Sequence, residues 1–263
     1  SIFMIIPTLA ILGYLTWVGV HGTITGGPSL RSWTYAQRLL TEPRVLMDYL
    51  QLLWLPRPFS SGLFNDQYAA STSLLHPAST LPAILALLAL VAGAWHLRRR
   101  YPALALSVLF YFAGQLIESS SIPLELYFEH RNYVPALLMF WPLGLWIADT
   151  RMMPVLKRVL MIVLPLSVAV MTHTRSSLWG NVQAQAEVWA RINPESARAQ
   201  ANAAQIEMQT GHPQAAIRRL QALLAAKPDE MQLSINLLGA RCMTGGFDKH
   251  DLDLALPGLQ SPA

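Results

Sequence analysis

The sequence is poor in charge and almost free of cysteine. Only 13% of its 263 residues are Asp, Glu, Lys or Arg, whereas 53% are hydrophobic, a balance that is too apolar for an ordinary soluble domain. The one cysteine, Cys242, excludes an intrachain disulfide and a thiolate cluster for a metal ion, and we expect it to be a small buried side chain of a helix. The net charge of +4 comes from basic residues in small groups beside apolar stretches, so nucleic acid is not an expected partner.

The sequence also lacks the short motifs that mark common catalytic sites. It contains no Gly-rich phosphate loop, no nucleophile elbow and no zinc motif. We therefore expect neither a cofactor nor a metal ion, and these motifs point to no catalytic residue.

Five apolar stretches have roughly the length of a membrane span. Each is apolar over roughly 15 to 20 residues, and they lie at about 2 to 20, 81 to 97, 103 to 117, 133 to 148 and 155 to 171. Pro142 and Pro165 lie inside two of these spans and predict kinks. The fold is therefore predicted to be all-α, with a polytopic transmembrane helix bundle over residues 1–171 that includes a long outer segment at 21–80.

The basic residues predict the orientation of these spans. Six of the 19 Lys and Arg residues fall in two very short connections, 97–101 and 149–158, and short loops rich in Lys and Arg stay in the cytoplasm. The segment 21–80, the loop 118–132 and the tail after 171 then lie on the outer side. We expect an integral membrane protein of a bacterial inner membrane, with the tail in the periplasm.

The outer segment contains a predicted helix. Thr41-Glu42-Pro43 has the pattern of a helix start, with Thr41 as N-cap and Pro43 in the first turn, and apolar residues recur at helical spacing as far as Trp54. Two arrangements fit this periodicity. The helix either lies flat at the membrane surface or packs on spans of its own chain.

The tail repeats with a period of 34 residues, as in a tetratricopeptide array. Four pairs of positions match at this offset: Pro194 with Pro228, Glu195 with Asp229, Asn202 with Asn236, and Gly211 with Gly245. We predict a linker and partial repeat helix at 172–193 and a short α-solenoid of tetratricopeptide repeats at 194–263. In it, Gly211 turns the chain into a second helix at 213–226, and residues 247–263 form a degenerate helix broken at Pro257. So short an array is marginal alone, and we expect a cap from further repeats, a partner or the membrane domain.

A dense polar cluster at residues 118–133 lies just before the fourth span. Glu125 and Glu129 are four residues apart and would share a face of a helix, and His130 and Arg131 follow them. A guanidinium at the bilayer surface suits a lipid-linked phosphate, because its fork donates two parallel hydrogen bonds. The alternative is a set of interfacial ion pairs that anchors a helix end. A metal site or general base among these glutamates is less favoured, because no second His or Asp stands at ligand spacing.

Two segments carry a resemblance to a known family. Residues 124–135, Leu-Glu-Leu-Tyr-Phe-Glu-His-Arg-Asn-Tyr-Val-Pro, resemble the Glu/Arg-Tyr-Leu-Pro segment of membrane proteins that join a GT-C-type glycosyltransferase fold to tetratricopeptide repeats, such as the transmembrane and tetratricopeptide-repeat O-mannosyltransferases. Residues 38–45 and 54–56 resemble the lumenal segment before the later spans of that family. The resemblance covers about 28 to 245.

This resemblance implies an activity. It implies transfer of a sugar from a polyprenyl-phosphate carrier in the membrane lipid to a protein hydroxyl on the outer face, with Arg131, His130 and Glu129 facing the carrier head group and the repeats holding the acceptor or a partner protein. The family places its acidic catalytic residue in the first outer loop, and this sequence has no match for it. The chain is therefore expected to be the C-terminal part of such an enzyme, with the catalytic acid outside it. The alternative is a non-enzymatic, membrane-anchored repeat scaffold for envelope or pilus assembly.

The distribution of positive charge makes a topological prediction. A reporter that is active only outside the cytoplasm should score when fused after residue 30, within 120–130 or after 180, and should be silent at Arg99 and Met153, because the arginine-rich short loops stay inside. Activity of the fusion at Arg99 would reverse the orientation.

Overall fold

The computed structural model describes residues 2–25, 33–57, 59–60, 62–149, 153–246 and 248–261. Over these ranges the chain is all-helical, with eleven α-helices, two short 3-10 helices and no strand. It divides into two compact units, one of residues 1–56 and 69–167 and the other of residues 57–68 and 168–263. Arg151 of the predicted cytoplasmic loop, residues 28–32 at the start of the resemblance, and Phe247 lie outside the described residues.

The first six α-helices come from the apolar part of the sequence. They are α1 Ile2–Thr25, α2 Tyr35–Trp54, α3 Thr80–Leu97, α4 Pro102–Gln115, α5 Trp141–Asp149 and α6 Pro154–Trp179. The 3-10 helices Glu129–Asn132 and Pro135–Leu138 lie between α4 and α5. In the first unit α2 packs on α1 and α3, and α4 packs on α3, on α5 and on the second 3-10 helix.

Three helices are long and apolar enough to cross a membrane. They are Ile5–Thr25 of α1, Thr80–Leu97, which is α3, and Pro154–Trp179, which is α6. Most of their side chains face outward, and α6 has no buried residue at all. Because hydrocarbon rather than water suits an exposed apolar helix of this length, these three helices agree with the predicted location in a membrane.

The other two predicted spans form shorter apolar helices. The span at 103–117 ends early, because α4 stops at Gln115, whose buried side-chain amide bonds Asn132. The span at 133–148 is divided between the 3-10 helix Pro135–Leu138 and α5. Pro142 is the second residue of α5 and so does not kink a span as predicted, since a proline in the first turn costs no hydrogen bond.

The outer helix begins earlier than predicted. The prediction of Thr41 as N-cap is wrong: α2 begins at Tyr35, and Pro43 lies within it. The helix starts with a capping box, in which the Thr34 hydroxyl accepts from the Gln37 backbone N–H and the Gln37 side chain accepts from the Thr34 N–H. Such a Thr-x-x-Gln box satisfies two donors of the first turn, which is why the helix starts there.

The packing of α2 distinguishes the two arrangements left open for it. It contacts α1 and α3, and Val45 and Tyr49 are fully buried. Arg38, Thr41 and Glu42 are buried as well. A helix with polar residues on its buried face needs partners for them from the rest of the chain, so α2 is a helix packed on its own protein.

The second unit is a stack of short helices. These are α7 Val182–Ile192, α8 Ala197–Gln209, α9 Pro213–Ala226, α10 Met231–Met243 and α11 Lys249–Gln260. Each packs on the next, and α8 also contacts α10 while α9 contacts α11. The core is rich in alanine and leucine, with Ala201, Ala204, Leu220, Leu233 and Leu237 at its centre. Small residues let helix backbones approach closely, so short helices can still bury a continuous core.

The 34-residue period reappears in the helix boundaries. The start and end of α10 each fall 34 residues after those of α8, and each helix is followed by a glycine with positive φ, Gly211 at 82° and Gly245 at 116°. The predicted second helix at 213–226 matches α9, and its face of Ala216, Ile217 and Leu220 is buried. The packing is repeat-like, and membership of the tetratricopeptide family stays a prediction.

Two predictions for the tail are wrong. Cys242 is exposed, because on α10 it points away from the buried side of Leu237 and Ala240. The last helix is not broken at Pro257, since α11 runs through it to Gln260. The proline lies near the helix end, and the next residue, Gly258, lies so close to α10 that a Cβ there would overlap the Ser234 hydroxyl.

Residues 57–68 belong to the second unit. The ring of Phe64 lies edge-on to Trp189 at 5.5 Å, and Gln67 Nε2 donates to Asn193 Oδ1 at 2.9 Å. Asp66 accepts from the hydroxyl of Ser196, the N-cap of α8, at 2.5 Å. Gly62 has φ of 67°, and a Cβ there would overlap the Trp189 indole. Asp66 thus has a structural role at a helix N-terminus.

Two glycines of the second unit make a matched pair for a test. A Cβ would meet nothing within 4 Å at either Gly211 or Gly239, but only Gly211 has a positive φ. Gly211→Ala should lower the free energy of unfolding by about 1 kcal/mol, because an L-residue resists the left-handed region. Gly239→Ala, inside α10, should raise it by about 0.5–1 kcal/mol through helix propensity. Limited proteolysis of the detergent-solubilised protein measures both, and equal resistance of the two variants would contradict the turn assigned to Gly211.

Candidate functional site

The chain between α4 and the first 3-10 helix is held by a buried arginine of α2. Residues 116–128 form turns and irregular structure, so their carbonyl groups need partners from elsewhere. The fully buried Arg38 supplies them. Its Nε donates to the carbonyl of Ser120 at 3.1 Å, its Nη2 to that of Glu118 at 2.8 Å, and its Nη1 to those of Leu124 and Glu125. One guanidinium therefore fixes the path of the loop.

Further buried polar groups fasten the same loop. The Tyr49 hydroxyl of α2 donates to the Phe128 carbonyl at 2.8 Å and accepts from the Phe128 N–H at 2.6 Å. From α4, Gln115 Nε2 and the Tyr111 hydroxyl both donate to Asn132 Oδ1, at 3.0 Å and 3.2 Å. Hydrogen bonds from α2 thus hold the loop, and hydrogen bonds from α4 hold the 3-10 helix Glu129–Asn132.

A buried carboxyl group accompanies Arg38. Glu42, one helical turn further along α2, is only 3% exposed, and its Oε1 lies 2.7 Å from Arg38 Nη2. Burial raises the pKa of Glu42 to about 7, against the opposing effect of the positive charges of Arg38 and Arg131. This carboxyl therefore titrates near neutrality rather than in the acid range.

Arg131, the residue predicted to bind a phosphate, lies inside this cluster. It is 6% exposed, its Nη2 donates to the Glu125 carbonyl at 2.6 Å, and its Nε lies 3.6 Å from Glu118 Oε2. Its guanidinium carbon is 5.9 Å from the centre of the Phe128 ring. Its Nη1 is buried and has no hydrogen-bond partner among the described residues, so one end of the guanidinium fork is free.

The three predicted site residues differ in exposure. Arg131 is buried, whereas the neighbouring His130 is exposed and sets its ring edge-on against Phe128 at 4.8 Å. Glu129 is half-buried. Glu125 and Glu129 share no helix face either, because the 3-10 helix begins only at Glu129. The ion pair of Arg131 with Glu118 is what the anchoring interpretation predicts, whereas the free Nη1 is what phosphate binding requires.

Sequence reasoning missed the α2 half of this cluster. Arg38, Glu42 and Tyr49 stand at helical spacing, and an Arg and a Glu four residues apart form a pair on a helix. That spacing was the available signal, but it is typical of a solvent-exposed pair. Nothing local indicates that the pair is buried, since its partners stand some eighty residues further along the chain.

A second candidate site is a groove of about 430 Å³ in the second unit. It lies between α8 and α10, with Leu220 of α9 at its base, and its wall is uncharged. The wall residues combine alanine, apolar side chains and side-chain amides, among them Gln205, Met208, Gln209, Ile235 and Asn236. Amides next to apolar surface can hydrogen-bond a polypeptide backbone while apolar side chains are buried beside them.

Comparison of this chain with known proteins identifies no family. It matches no protein-family model, no curated protein and no solved structure. In the part of the chain that the structure describes, no three His, Cys, Asp or Glu side chains come together as a metal site. The function therefore has to be argued from the polar cluster and the groove.

The buried carboxyl gives a prediction of pH dependence. Because the pKa of Glu42 is higher in the folded state than its ordinary value, the folded chain binds more protons there, and this contribution to stability is present at low pH and is lost as pH rises through about 7. The free energy of unfolding of the wild type minus that of Glu42→Gln should fall by about 1 kcal/mol per pH unit between about pH 5 and about pH 7. Denaturation by SDS in mixed micelles measures it. Glu187→Gln, at an exposed ion pair, is the control, and a pH-independent difference for Glu42→Gln would contradict the burial argument.

Proposed function

We propose that the chain is the C-terminal part of an integral membrane glycosyltransferase of the GT-C type with tetratricopeptide repeats. It moves a sugar from a polyprenyl-phosphate carrier to a protein on the outer, periplasmic face of the membrane. The observation that carries the proposal is the buried Arg131 guanidinium, whose terminal nitrogen Nη1 has no hydrogen-bond partner among the described residues. Three further observations support it: the contrast with Arg38, the apolar surface next to Arg131, and the groove of the second unit.

A buried, charged N–H group without an acceptor is costly. The cost of leaving a buried donor unsatisfied is about 1–3 kcal/mol, and more when the group is charged. Folded proteins keep few such groups, and those they keep need a reason. A phosphate oxygen is a strong acceptor for a guanidinium, so binding an anion at Nη1 of Arg131 supplies that reason.

Arg38 shows what a purely structural arginine does in the same cluster. Its Nε and both of its terminal nitrogens donate to backbone carbonyls of the loop, and Nη2 also pairs with Glu42. Among the described residues the Arg131 guanidinium makes one hydrogen bond to the backbone, and its carboxylate partner is looser, at 3.6 Å. That partner, Glu118, has a side chain that is 46% exposed, so it can move away when an anion arrives. Arg38 therefore holds the loop in place, whereas Arg131 keeps a donor with which it can bind an anion.

An apolar surface begins directly after Arg131. Tyr133 is 82% exposed, and Val134 and Leu137 are strongly exposed as well. A polyprenyl phosphate has a charged head on a long hydrocarbon chain, and such a ligand needs a cation and an apolar surface side by side. Arg131 and this apolar surface are neighbours in the sequence, which supports the proposal.

The groove of the second unit is the proposed place for the acceptor or a partner protein. Its uncharged, amide-bearing wall between α8 and α10 suits an extended polypeptide more than a charged small molecule. The same observation favours the second candidate, a non-enzymatic membrane-anchored scaffold for envelope or pilus assembly. The scaffold requires the groove but has no use for a free N–H group on Arg131.

Substitution of Arg131 separates the two functions. Arg131→Lys keeps the charge but loses the two-point fork, so sugar transfer should fall about ten- to hundredfold, the equivalent of one charge-assisted hydrogen bond. The assay uses membranes that carry the complete natural protein and measures transfer from a polyprenyl-phosphate-linked sugar to envelope protein, normalised to the amount of protein.

Two further arginines provide the controls. Arg191→Lys, at an exposed ion pair with Glu187, should leave transfer unchanged. Arg38→Lys should instead lower the amount of folded protein, because a lysine ammonium cannot reach four carbonyl groups. Wild-type transfer by Arg131→Lys would exclude the phosphate-binding role, and the absence of transfer by the wild type with every such donor would favour the scaffold.

A further inference from the structure

Glu42 and Arg131 are oppositely charged groups of one buried cluster that do not pair with each other. Glu42 pairs with Arg38 through Oε1, and Arg131 pairs with Glu118 through Nε. Both Glu42 and Arg131 are more than nine-tenths buried. The Glu125 carbonyl accepts from Arg38 Nη1 at 3.3 Å and from Arg131 Nη2 at 2.6 Å, so only the Arg38 guanidinium separates that shared carbonyl from Glu42. An anion bound to Arg131 therefore comes near a buried carboxyl that the proposed function has not used.

The charges around Glu42 are few. On α2 it faces Arg38 and Tyr49, and from the 3-10 helix it faces Arg131, while the nearby Ser119 hydroxyl of the loop donates to Gln115 Oε1 at 3.0 Å. Of the two helices that pack on α2, α1 carries Tyr14 and His21 and α3 carries His96 as their titratable residues. The balance at Glu42 therefore depends on two guanidinium groups.

We propose that binding of an anion to Arg131 is coupled to the uptake of a proton by Glu42. This rests on the proposed function, in which the anion is the phosphate of the carrier. A bound phosphate neutralises the positive charge of Arg131 and adds a negative charge near the Glu42 carboxyl. Both changes disfavour a buried carboxylate, and the protonated carboxyl gains an O–H group that can donate a hydrogen bond. Proton uptake thus keeps the buried cluster near neutrality.

Burial brings the titration of the Glu42 carboxyl into the physiological pH range. Because the pKa of Glu42 is already raised to about 7, the carboxyl is partly protonated at neutral pH before the anion arrives. An anion on Arg131 raises that pKa further. By linkage, the anion therefore binds more tightly as pH falls. Between the pKa of Glu42 without the anion and its pKa with the anion bound, the affinity rises by at most about tenfold per pH unit, and below both values it levels off. Release of the carrier phosphate would then accompany loss of the proton.

The test needs a probe whose own charge does not change with pH. Methyl farnesyl phosphate is a phosphodiester with one fixed negative charge, and farnesol is its uncharged counterpart. Dissociation constants are measured for the detergent-solubilised protein between about pH 5.5 and about pH 8.5, a range that spans the titration of Glu42. For the wild type the affinity for the phosphodiester should fall at least about fivefold from about pH 6.5 to about pH 8.5. Farnesol should show no such change.

Variants assign the pH dependence to one carboxyl. Glu42→Gln cannot ionise, so its affinity for the phosphodiester should be constant over the range and close to the low-pH value of the wild type. Glu187→Gln, at the exposed pair with Arg191, should keep the wild-type pH profile. A wild-type profile that is flat, or one that Glu42→Gln reproduces, would overturn the coupling.

Calorimetry of the wild type keeps the proposal testable if Glu42→Gln does not fold. The binding enthalpy, measured near neutral pH in two buffers with different heats of ionisation, should show uptake of a substantial fraction of one proton, and uptake of none would overturn the coupling. The two proposals fail differently. If the phosphodiester binds no better than farnesol at any pH, and Arg131→Lys makes no difference, then the proposed function fails as well. If it binds through Arg131 without proton uptake, only the coupling fails.

Discussion

Four backbone carbonyl groups between Glu118 and Glu125 converge on the buried guanidinium of Arg38, and the candidate site depends on this interaction. The loop has no regular secondary structure of its own, so without Arg38 these carbonyls would lose their donors, at a cost of about 1–3 kcal/mol for each one that is buried. The charge of Arg38 would in turn be intolerable without these acceptors and without Glu42. The loop and the arginine therefore stabilise each other, and the position of Arg131 at the end of the loop follows from both.

This arrangement also explains why two arginines of one cluster can have different roles. Carbonyl dipoles and the Glu42 carboxyl saturate Arg38, so it contributes shape and leaves no donor for a ligand. Arg131 stands past the last carbonyl that Arg38 uses and shares only that of Glu125 with it. Its Nη1 has no hydrogen-bond partner among the described residues, and the side chain of Glu118, which pairs with its Nε, is 46% exposed. A rigid cation that fixes the loop thus leaves the second cation incompletely satisfied, which is the condition for binding an anion.

The sequence was informative where the structure depends on local periodicity and uninformative where it depends on distant partners. Helical periodicity after Gly211 predicted the bounds of α9, and hydropathy placed α3 and α6 to within a few residues at their starts. The polar cluster escaped prediction, because what buries Arg38 and Glu42 is a loop some eighty residues away, and no pattern within α2 encodes it. The start of α2 was mistaken for a different reason: Thr41 and Pro43 form a plausible helix start, but the reciprocal bonds of Thr34 and Gln37 lie upstream of it.

The second unit shows how so short a stack of helices obtains a cap. Helices in such a stack bury their faces only against neighbours, so the first helix leaves one side open. Residues 57–68 supply neighbours from a distant part of the chain: Phe64 lies against Trp189 of α7, and Asp66 bonds the N-cap Ser196 of α8. Because a Cβ at Gly62 would overlap the indole, the fit depends on a glycine at that position. The cap that the sequence led us to expect from further repeats, a partner or the membrane domain is thus supplied in part by the chain's own segment 57–68, and the groove between α8 and α10 remains open at the same time.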